Sequence, residues 1–216
     1  MKLVADNISK SIKNKVILHD INIEFESGKV YGIVGRNGSG KTMLFRALSG
    51  IMSVDSGEIR LDDKILHKDF NVLPNMGIVL ENAGLYPELS GYDNLKYLAD
   101  INKKIGKDEI VRTIERVGLD PKDKKSYRKY SLGMKQRIVI AQAIMEKPDI
   151  LFLDEPTNAL DESGVQEVRN IILEEKERGA IILLASHSRE DIELLADEVY
   201  YMSAGKIKEK NDGGSE

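Results

Sequence analysis

The sequence predicts an α/β fold with a mostly parallel central sheet, an N-terminal antiparallel β subdomain and an inserted helical subdomain. Three observations favour it. Apolar and polar residues alternate over the first thirty positions, which is typical of half-buried strands. Continuous apolar runs at 150–153 and 181–184, separated by a helical repeat, indicate a strand–helix–strand crossover in a buried parallel sheet. Helical periodicity dominates from about Ser90 to Met145.

Length and composition favour one folded domain. The chain has 216 residues, of which 41% are hydrophobic and 31% are charged, as in ordinary globular proteins. We expect a single domain with a core at about 2–85 and 146–208, which includes the β subdomain. The helical subdomain is expected at 86–145, and a disordered tail at 209–216.

Composition also excludes several functions. The balance of 32 Lys and Arg against 36 Asp and Glu gives a net charge of -4, so no overall basic field recruits nucleic acid, and no nucleic-acid partner is expected. No cysteine is present, which excludes disulfides, thiol catalysis and cysteine-ligated metals. The longest stretch without Asp, Glu, Lys or Arg, Phe70–Leu80, is too short to span a bilayer, and the first residues turn polar too early for a signal peptide. A cytoplasmic location is therefore expected.

The sequence of the N-terminal half predicts strands before and after one helix. Short, mostly antiparallel strands fill the first thirty residues, with a turn at Ser27 and Gly28. The run Val30–Val34 predicts a buried strand that stops at glycines, and apolar residues at helical spacing follow from about Lys41. The run Gly77–Leu80 predicts a further buried strand.

The C-terminal half continues the alternation of helices and strands. A helix is predicted around Val165–Ile172, between the two apolar runs, and another at Arg189–Leu195. Val199–Met202 and Lys206–Lys208 predict a hairpin around Ala204 and Gly205.

A phosphate-binding loop stands between the buried strand and the first helix. Its G-x-x-x-x-G-K-T pattern predicts a P-loop NTPase, in which glycines let backbone N–H groups converge on phosphate oxygens at the positive end of a helix. The lysine reaches the β- and γ-phosphates, and the threonine hydroxyl ligates Mg²⁺. The expected ATP-binding residues of the loop are Gly35, Arg36, Asn37, Gly38, Ser39, Gly40, Lys41 and Thr42.

Three polar residues follow the next two buried strands. The carboxyl ends of parallel strands open into the ligand crevice of an α/β sheet. Asp154 is therefore expected to hold Mg²⁺ through water, and Glu155 is a candidate general base for the water that attacks the γ-phosphate. His187 follows the second strand and is expected to contact the γ-phosphate at the same edge.

These features resemble the nucleotide-binding domain of ATP-binding-cassette (ABC) proteins. The resemblance rests on the signature-like segment Tyr130–Arg137, which opens a helix, and on Asn158–Asp161 as a D-loop. It implies a head-to-tail dimer of two copies, or of this chain and a paralogous ATP-binding subunit, with two ATP molecules between the protomers. Ser131 and the backbone around Gly133, with Leu132, Met134 and Asp161, would then bind the partner's ATP in trans at a helix N-terminus.

The sequence departs from the family pattern at several positions. Ile12 stands where an aromatic usually stacks on adenine, so Ile12 and Val16 are expected to form an aliphatic wall for the base. Glu81 replaces the Q-loop glutamine; its carboxylate attracts Mg²⁺ but repels triphosphate, and the net sign stays open. Leu132 and Met134 replace the usual glycine and glutamine of the signature.

Glu81 and the segment Tyr130–Met134 resemble the ATP-binding subunits of bacitracin- and lantibiotic-type exporters. The resemblance implies ATP hydrolysis that powers export through a separate transmembrane permease, which would hold the chain at the inner face of the membrane. The permease would dock on Leu85, Tyr86, Pro87, Leu89 and Tyr92. The alternatives are an ABC ATPase that regulates a ribosome or DNA process, and a small-molecule P-loop kinase.

Overall fold

The strands of the computed structural model, which describes residues 1–80 and 84–208, form two sheets. Glu81 and the predicted tail at 209–216 lie outside the described residues. The strands are β1 (Lys2–Ile12), β2 (Lys15–Glu26), β3 (Lys29–Val34), β4 (Ser56–Leu61), β5 (Lys64–Ile65), β6 (Met76–Val79), β7 (Ile150–Asp154), β8 (Ile181–Ala185), β9 (Glu198–Ser203) and β10 (Lys206–Lys208). The helices are α1 (Lys41–Ser49), α2 (Gly91–Asn102), α3 (Lys107–Arg116), α4 (Leu132–Ile144), α5 (Glu162–Glu177) and α6 (Arg189–Leu195), with a 3₁₀ turn at Tyr127–Lys129.

The smaller sheet is antiparallel and has the strand order β2-β1-β4-β5. The prediction of short N-terminal strands was wrong, because β1 and β2 are 11 and 12 residues long. Both strands contain a residue in the left-handed region, Asn7 and Asp20, each with φ of 49°. The register of the β1–β2 pair shifts next to Asn7, between Ala5 and Ile8. Such irregularities interrupt the alternation of apolar and polar residues, so the sequence pattern of one long strand predicts two short strands.

The larger sheet has the strand order β10-β9-β3-β8-β7-β6. Its neighbours are parallel except for the edge pair β9–β10, which is antiparallel. The predicted α/β fold with a mostly parallel central sheet is therefore confirmed, as is the crossover from β7 through α5 to β8. Both β7 and β8 are buried along their whole length, which explains their continuous apolar sequences.

Two apolar cores hold the sheets and helices together. One lies between the two sheets, where α1 contributes Leu44 and Phe45 and packs with Phe25 of β2 and Phe152 of β7. The other lies on the opposite face of the larger sheet, against α4, α5 and α6. Helices α2 and α3 pack on α4 and extend this second core away from the sheet. No helix within residues 1–80 and 84–208 has both the length and the apolar character that a bilayer crossing requires.

The contact between α4 and β6 depends on a glycine. A Cβ atom on Gly77 would lie 2.0 Å from the backbone oxygen of Ala143 and 2.7 Å from Leu151 Cδ2. Because the nearest atom belongs to helix backbone, an alanine could be accommodated only if α4 moved away from the sheet.

We expect Gly77→Ala to destabilise the protein by about 1–3 kcal/mol, the usual cost of overpacking a core. Gly106→Ala is the control for added volume, because its backbone φ is -107° and the nearest atom to an added Cβ is 3.7 Å away; as the N-cap of α3 it should lose less than about 1 kcal/mol. Thermal denaturation followed by circular dichroism compares the two variants. Equal melting temperatures for both would contradict the packing described for β6 and α4.

Candidate functional site

Most residues of the predicted phosphate site meet at the carboxyl edge of the larger sheet. Ile33 of β3 pairs with Ala185 of β8, which in turn pairs with Asp154 of β7, so three adjacent strands end at one level. A cleft of about 570 Å³ opens at this edge. Its lining comprises Lys15, Ile17, Asn37, Gly38, Ser39, Gly40, Lys41, Thr42, Met43, Asp154, Glu155, Asn158 and His187.

The phosphate loop is held tightly from behind by the β9–β10 hairpin. A Cβ on Gly35 would lie 2.3 Å from the backbone oxygen of Met202, and Gly205 N donates to Ser39 O at 2.9 Å. Gly40, with φ of 113°, is the N-cap of α1 and has no side chain to occupy the first-turn N–H groups. Ser39 Oγ is buried and lacks a hydrogen-bond partner among the described residues. The loop therefore forms a polar cradle that fits an anion.

Arg36 does not line this cleft. Its side chain is exposed and borders an adjoining cavity of about 660 Å³ that also contacts Ser186 and Arg189. The prediction that Arg36 binds ATP thus stays a prediction, while the rest of the loop from Asn37 to Thr42 faces the cleft.

Two residues at the start of α1 have the chemistry for a triphosphate and its metal. Lys41 is 7% exposed, and its ammonium group donates to Gly35 O at 2.7 Å. The Thr42 hydroxyl donates to Asp154 Oδ2. A hydroxyl and a carboxylate oxygen are donors that Mg²⁺ prefers, alongside phosphate oxygens and water. The residues present therefore fit Mg²⁺ at this point.

Glu155 occupies a strained backbone position directly after β7. Its φ of 51° lies in the left-handed region, which is uncommon for a non-glycine residue. Its N–H donates to Ala185 O at 2.8 Å, which ties the residue to the end of β8. Burial raises the pKa of the Glu155 carboxyl, and the His187 backbone N–H, which donates to Oε2 at 3.1 Å, opposes the increase in part. A raised pKa makes this carboxylate a better proton acceptor than an exposed glutamate.

His187 connects the loops that follow β8 and β3. Its Nε2 lies 2.7 Å from Asn37 Oδ1 in the phosphate loop and 3.3 Å from Glu155 Oε1. The imidazole therefore lies between the phosphate loop and the carboxylate, whose Oε1 is buried and lacks a hydrogen-bond donor among the described residues.

The structure does not test the aliphatic wall predicted from Ile12 and Val16, which stays a prediction. Of the described residues, the N-terminal strands bring Lys15 and Ile17 to the cleft, and neither Ile12 nor Val16 lines it. Side chains alternate along β2, so Val16 lies on the face opposite Ile17.

The signature segment lines a second cleft of about 510 Å³. Ser131 is the N-cap of α4, and its hydroxyl accepts from Met134 N at 3.2 Å. Asp161 is the N-cap of α5 and accepts from Gly164 N at 2.9 Å; that bond is the main reason its pKa is lowered. Leu132 and Gly133 lie in the same cleft, and Leu132 is 72% exposed.

Within one chain the two clefts have no lining residue in common. They are neighbours along the segment that follows β7, because Asn158 lines the first and Ala159 the second. A single protomer therefore does not bring Ser131 to its own phosphate loop.

One side chain links the two clefts and was missed by the sequence reasoning. Gln136, on α4, donates from Nε2 to Pro156 O at 2.9 Å and to Glu155 O at 3.3 Å. The helix that begins at Ser131 is thus bonded to the backbone of Glu155. A polar residue in a helical repeat gives no sequence signal for such a long-range bond.

Comparison with known proteins identifies the family. The ABC transporter family model matches residues 18–158. The chain is 48% identical to the uncharacterized ABC transporter ATP-binding protein YybJ of Bacillus subtilis, over 94% of this chain and 93% of that protein. It is 38% identical to the lantibiotic transport ATP-binding protein SrtF of Streptococcus pyogenes, over 99% and 93%. It is 35% identical to the bacitracin transport ATP-binding protein BcrA of Enterococcus faecalis, over 95% and 68%.

Solved structures agree on the fold. The chain superposes on an ATP-binding subunit of an ABC transporter with a TM-score of 0.87 at 24% identity, over 98% of this chain and 90% of the other. It superposes on a dimeric bacterial ABC transporter cassette with a TM-score of 0.85 at 21% identity, over 95% and 96%. The chain belongs to the ABC transporter family. It is a P-loop ATPase that binds ATP with Mg²⁺, as the sequence predicted.

The position of Ile17 gives a direct test of the cleft. We expect Ile17→Ala to weaken ATP binding about 5- to 30-fold, which corresponds to the loss of roughly 1–2 kcal/mol of apolar contact. Val16→Ala removes the neighbouring side chain on the other face of β2 and should leave the affinity unchanged. Isothermal titration calorimetry with ATP and Mg²⁺ measures both. A larger loss for Val16→Ala than for Ile17→Ala would show that the base lies elsewhere.

Proposed function

We propose that the chain is the energy-coupling subunit of an exporter, in which two protomers close around ATP and open after its hydrolysis. The observation that supports this most is the convergence of the phosphate loop, Asp154, Glu155 and His187 in one cleft, while the signature residues line another. The residues of the first cleft have the chemistry that ATP hydrolysis requires. The residues of the second cleft would bind the nucleotide of a partner protomer.

In the first cleft each residue has a distinct role. Lys41 and the N–H groups at the start of α1 bind the β- and γ-phosphates, and Thr42 with Asp154 holds Mg²⁺, which neutralises charge on the phosphate oxygens. Glu155 orients the attacking water and accepts its proton. His187, whose ring nitrogen bonds Asn37 and whose backbone N–H donates to Glu155, supports the γ-phosphate side of the cleft. Glu81 as a further Mg²⁺ ligand stays a prediction.

The second cleft serves the other protomer. The N-terminus of α4 carries the positive end of the helix dipole, and Ser131 presents its hydroxyl beside it. Leu132, Gly133 and Met134 surround this point, and Asp161 starts the neighbouring helix. Because both clefts of one protomer are half-sites, two copies, or one copy and a paralogous subunit, complete two full sites in a head-to-tail dimer.

A separate transmembrane permease would couple ATP hydrolysis in this subunit to transport. The helical subdomain, which we place at 86–145, offers an exposed aromatic pair: Tyr86 and Tyr97 meet edge to face with ring centroids 5.0 Å apart, and Ile101 is also exposed. Pro87 is exposed next to this pair, whereas Leu85, Leu89 and Tyr92 are only partly exposed. The permease would bind here and hold the chain at the cytoplasmic face of the membrane.

The class of cargo is inferred from relatives, and the direction of transport from the resemblance of Glu81 and Tyr130–Met134 to exporter subunits. The names of two relatives refer to lantibiotic and bacitracin transport, and the identities of 38% and 35% extend over nearly the whole chain. Export of an antibiotic peptide is accordingly the function that we propose for the complete transporter. The permease, rather than this subunit, would select the peptide.

Replacement of the proposed base tests this scheme. Glu155→Gln removes the proton acceptor but keeps the shape of the side chain, so ATP should still bind while turnover falls at least 100-fold. Because the γ-phosphate then persists, the variant should accumulate as a dimer with ATP and Mg²⁺ on size-exclusion chromatography. Glu177→Gln, at the exposed C-terminal end of α5, is the control and should behave as the wild type. Wild-type turnover by Glu155→Gln would rule out the assigned role.

A further inference from the structure

A buried carboxylate lies behind the cleft and takes no direct part in the proposed chemistry. Asp191, on α6, is 1% exposed and lines neither of the two clefts. Its Oδ1 accepts a hydrogen bond from Arg169 Nε at 2.8 Å and lies 2.6 Å from Arg169 Nη2. Its Oδ2 accepts from the Thr157 hydroxyl at 2.7 Å and from the Ser186 hydroxyl at 3.4 Å.

The two hydroxyls belong to the two loops that carry the proposed catalytic groups. Thr157 is two residues after Glu155, and Ser186 directly precedes His187. We propose that Asp191 is a positioning residue, which fixes Glu155 and His187 relative to each other through Thr157 and Ser186. This inference rests on the function proposed above for Glu155.

The chemistry of the site requires a carboxylate. All the groups around the Asp191 carboxylate are donors: Arg169 Nε and the Thr157 and Ser186 hydroxyls donate hydrogen bonds to it, and Arg169 Nη2 makes an ion pair with it. A carboxylate has acceptor capacity for all of them, whereas an amide would turn its NH₂ group towards a donor. Arg169 is itself buried and balances the charge, and its second partner, Glu190, is largely exposed. A buried charge with its partners complete is fixed in one geometry.

The hydrogen bonds around Asp191 add a second set to those that connect Glu155 and His187 within the cleft. On the cleft side, Glu155 N donates to Ala185 O, and His187 N donates to the Glu155 carboxylate. On the far side, Ser188 N donates to Ser186 Oγ at 3.0 Å, and Asp191 N donates to Ser188 Oγ at 3.2 Å. The Thr157 bond is what joins the loop of Glu155 to this second set, so its removal should loosen that loop selectively.

Thr157→Val tests the proposal, because it removes one hydroxyl and leaves the ion pair of Arg169 and Asp191 in place. We expect kcat for ATP to fall about 10- to 100-fold, since small displacements of reacting groups have effects of that size. The affinity for ATP and the KM should change less than twofold. The melting temperature should fall by only about 2–4 °C, the effect of one lost hydrogen bond. Thr157→Ser restores the hydroxyl and should restore kcat.

Two further variants separate positioning from general stability. Ser186→Ala removes the weaker hydroxyl contact and should lower kcat less than Thr157→Val does. Glu190→Gln removes the exposed partner of Arg169 without a contact to either hydroxyl, and should leave kcat unchanged. A purely structural role would instead lower the melting temperature in step with kcat, and Thr157→Ser would then restore both together.

The outcomes distinguish this inference from the proposed function. Full kcat in Thr157→Val, while Glu155→Gln is inactive, would overturn the positioning role and leave the function of Glu155 intact. A loss of kcat in Thr157→Val that Thr157→Ser does not recover would also overturn it. Full turnover in Glu155→Gln would overturn the proposed function itself. Reduced kcat at unchanged ATP affinity, restored by serine, supports the inference.

Discussion

The register of three adjacent parallel strands is the constraint on which the site depends. Because Ile33, Ala185 and Asp154 lie at one level across β3, β8 and β7, the loops that follow these strands emerge side by side. The glycine loop, Glu155 and His187 are distant in sequence and meet only through that register. A shift of one residue in any of the three strands would turn its last side chain to the other face of the sheet and break the cleft apart.

The backbone around Glu155 is held in a conformation that it would not adopt alone. Its left-handed φ costs free energy on the order of 1–3 kcal/mol, which surrounding bonds must offset. Those bonds come from three directions: β8 through Ala185 O, α4 through Gln136, and α6 through Asp191 and Thr157. Gln136 adds a link between the two clefts, since α4, which in the proposed dimer would present Ser131 to a partner's nucleotide, also bonds the Glu155 backbone in its own protomer.

Much of the fold and of the site could be predicted from the sequence. Buried parallel strands leave continuous apolar runs, and the phosphate loop has a spacing that few other structures require, so Lys41, Thr42 and Asp154 were found by pattern alone. The long β1 and β2 strands were missed because left-handed residues interrupt their alternation. Ile17, Gln136 and Asp191 were missed for another reason. The contacts that they make depend on which distant groups lie beside them, and that is decided by tertiary packing.

In the proposed dimer, one chain holds only half of each ATP site. Turnover should therefore depend on protein concentration. ATPase activity per chain should fall as the protein is diluted, because the dimer that joins a phosphate loop to a partner's Ser131 dissociates. Light scattering at each concentration establishes the oligomeric state. The monomer should be inactive, and ATPase activity should follow the fraction of dimer. Undiminished activity per chain in a fully monomeric sample would contradict it.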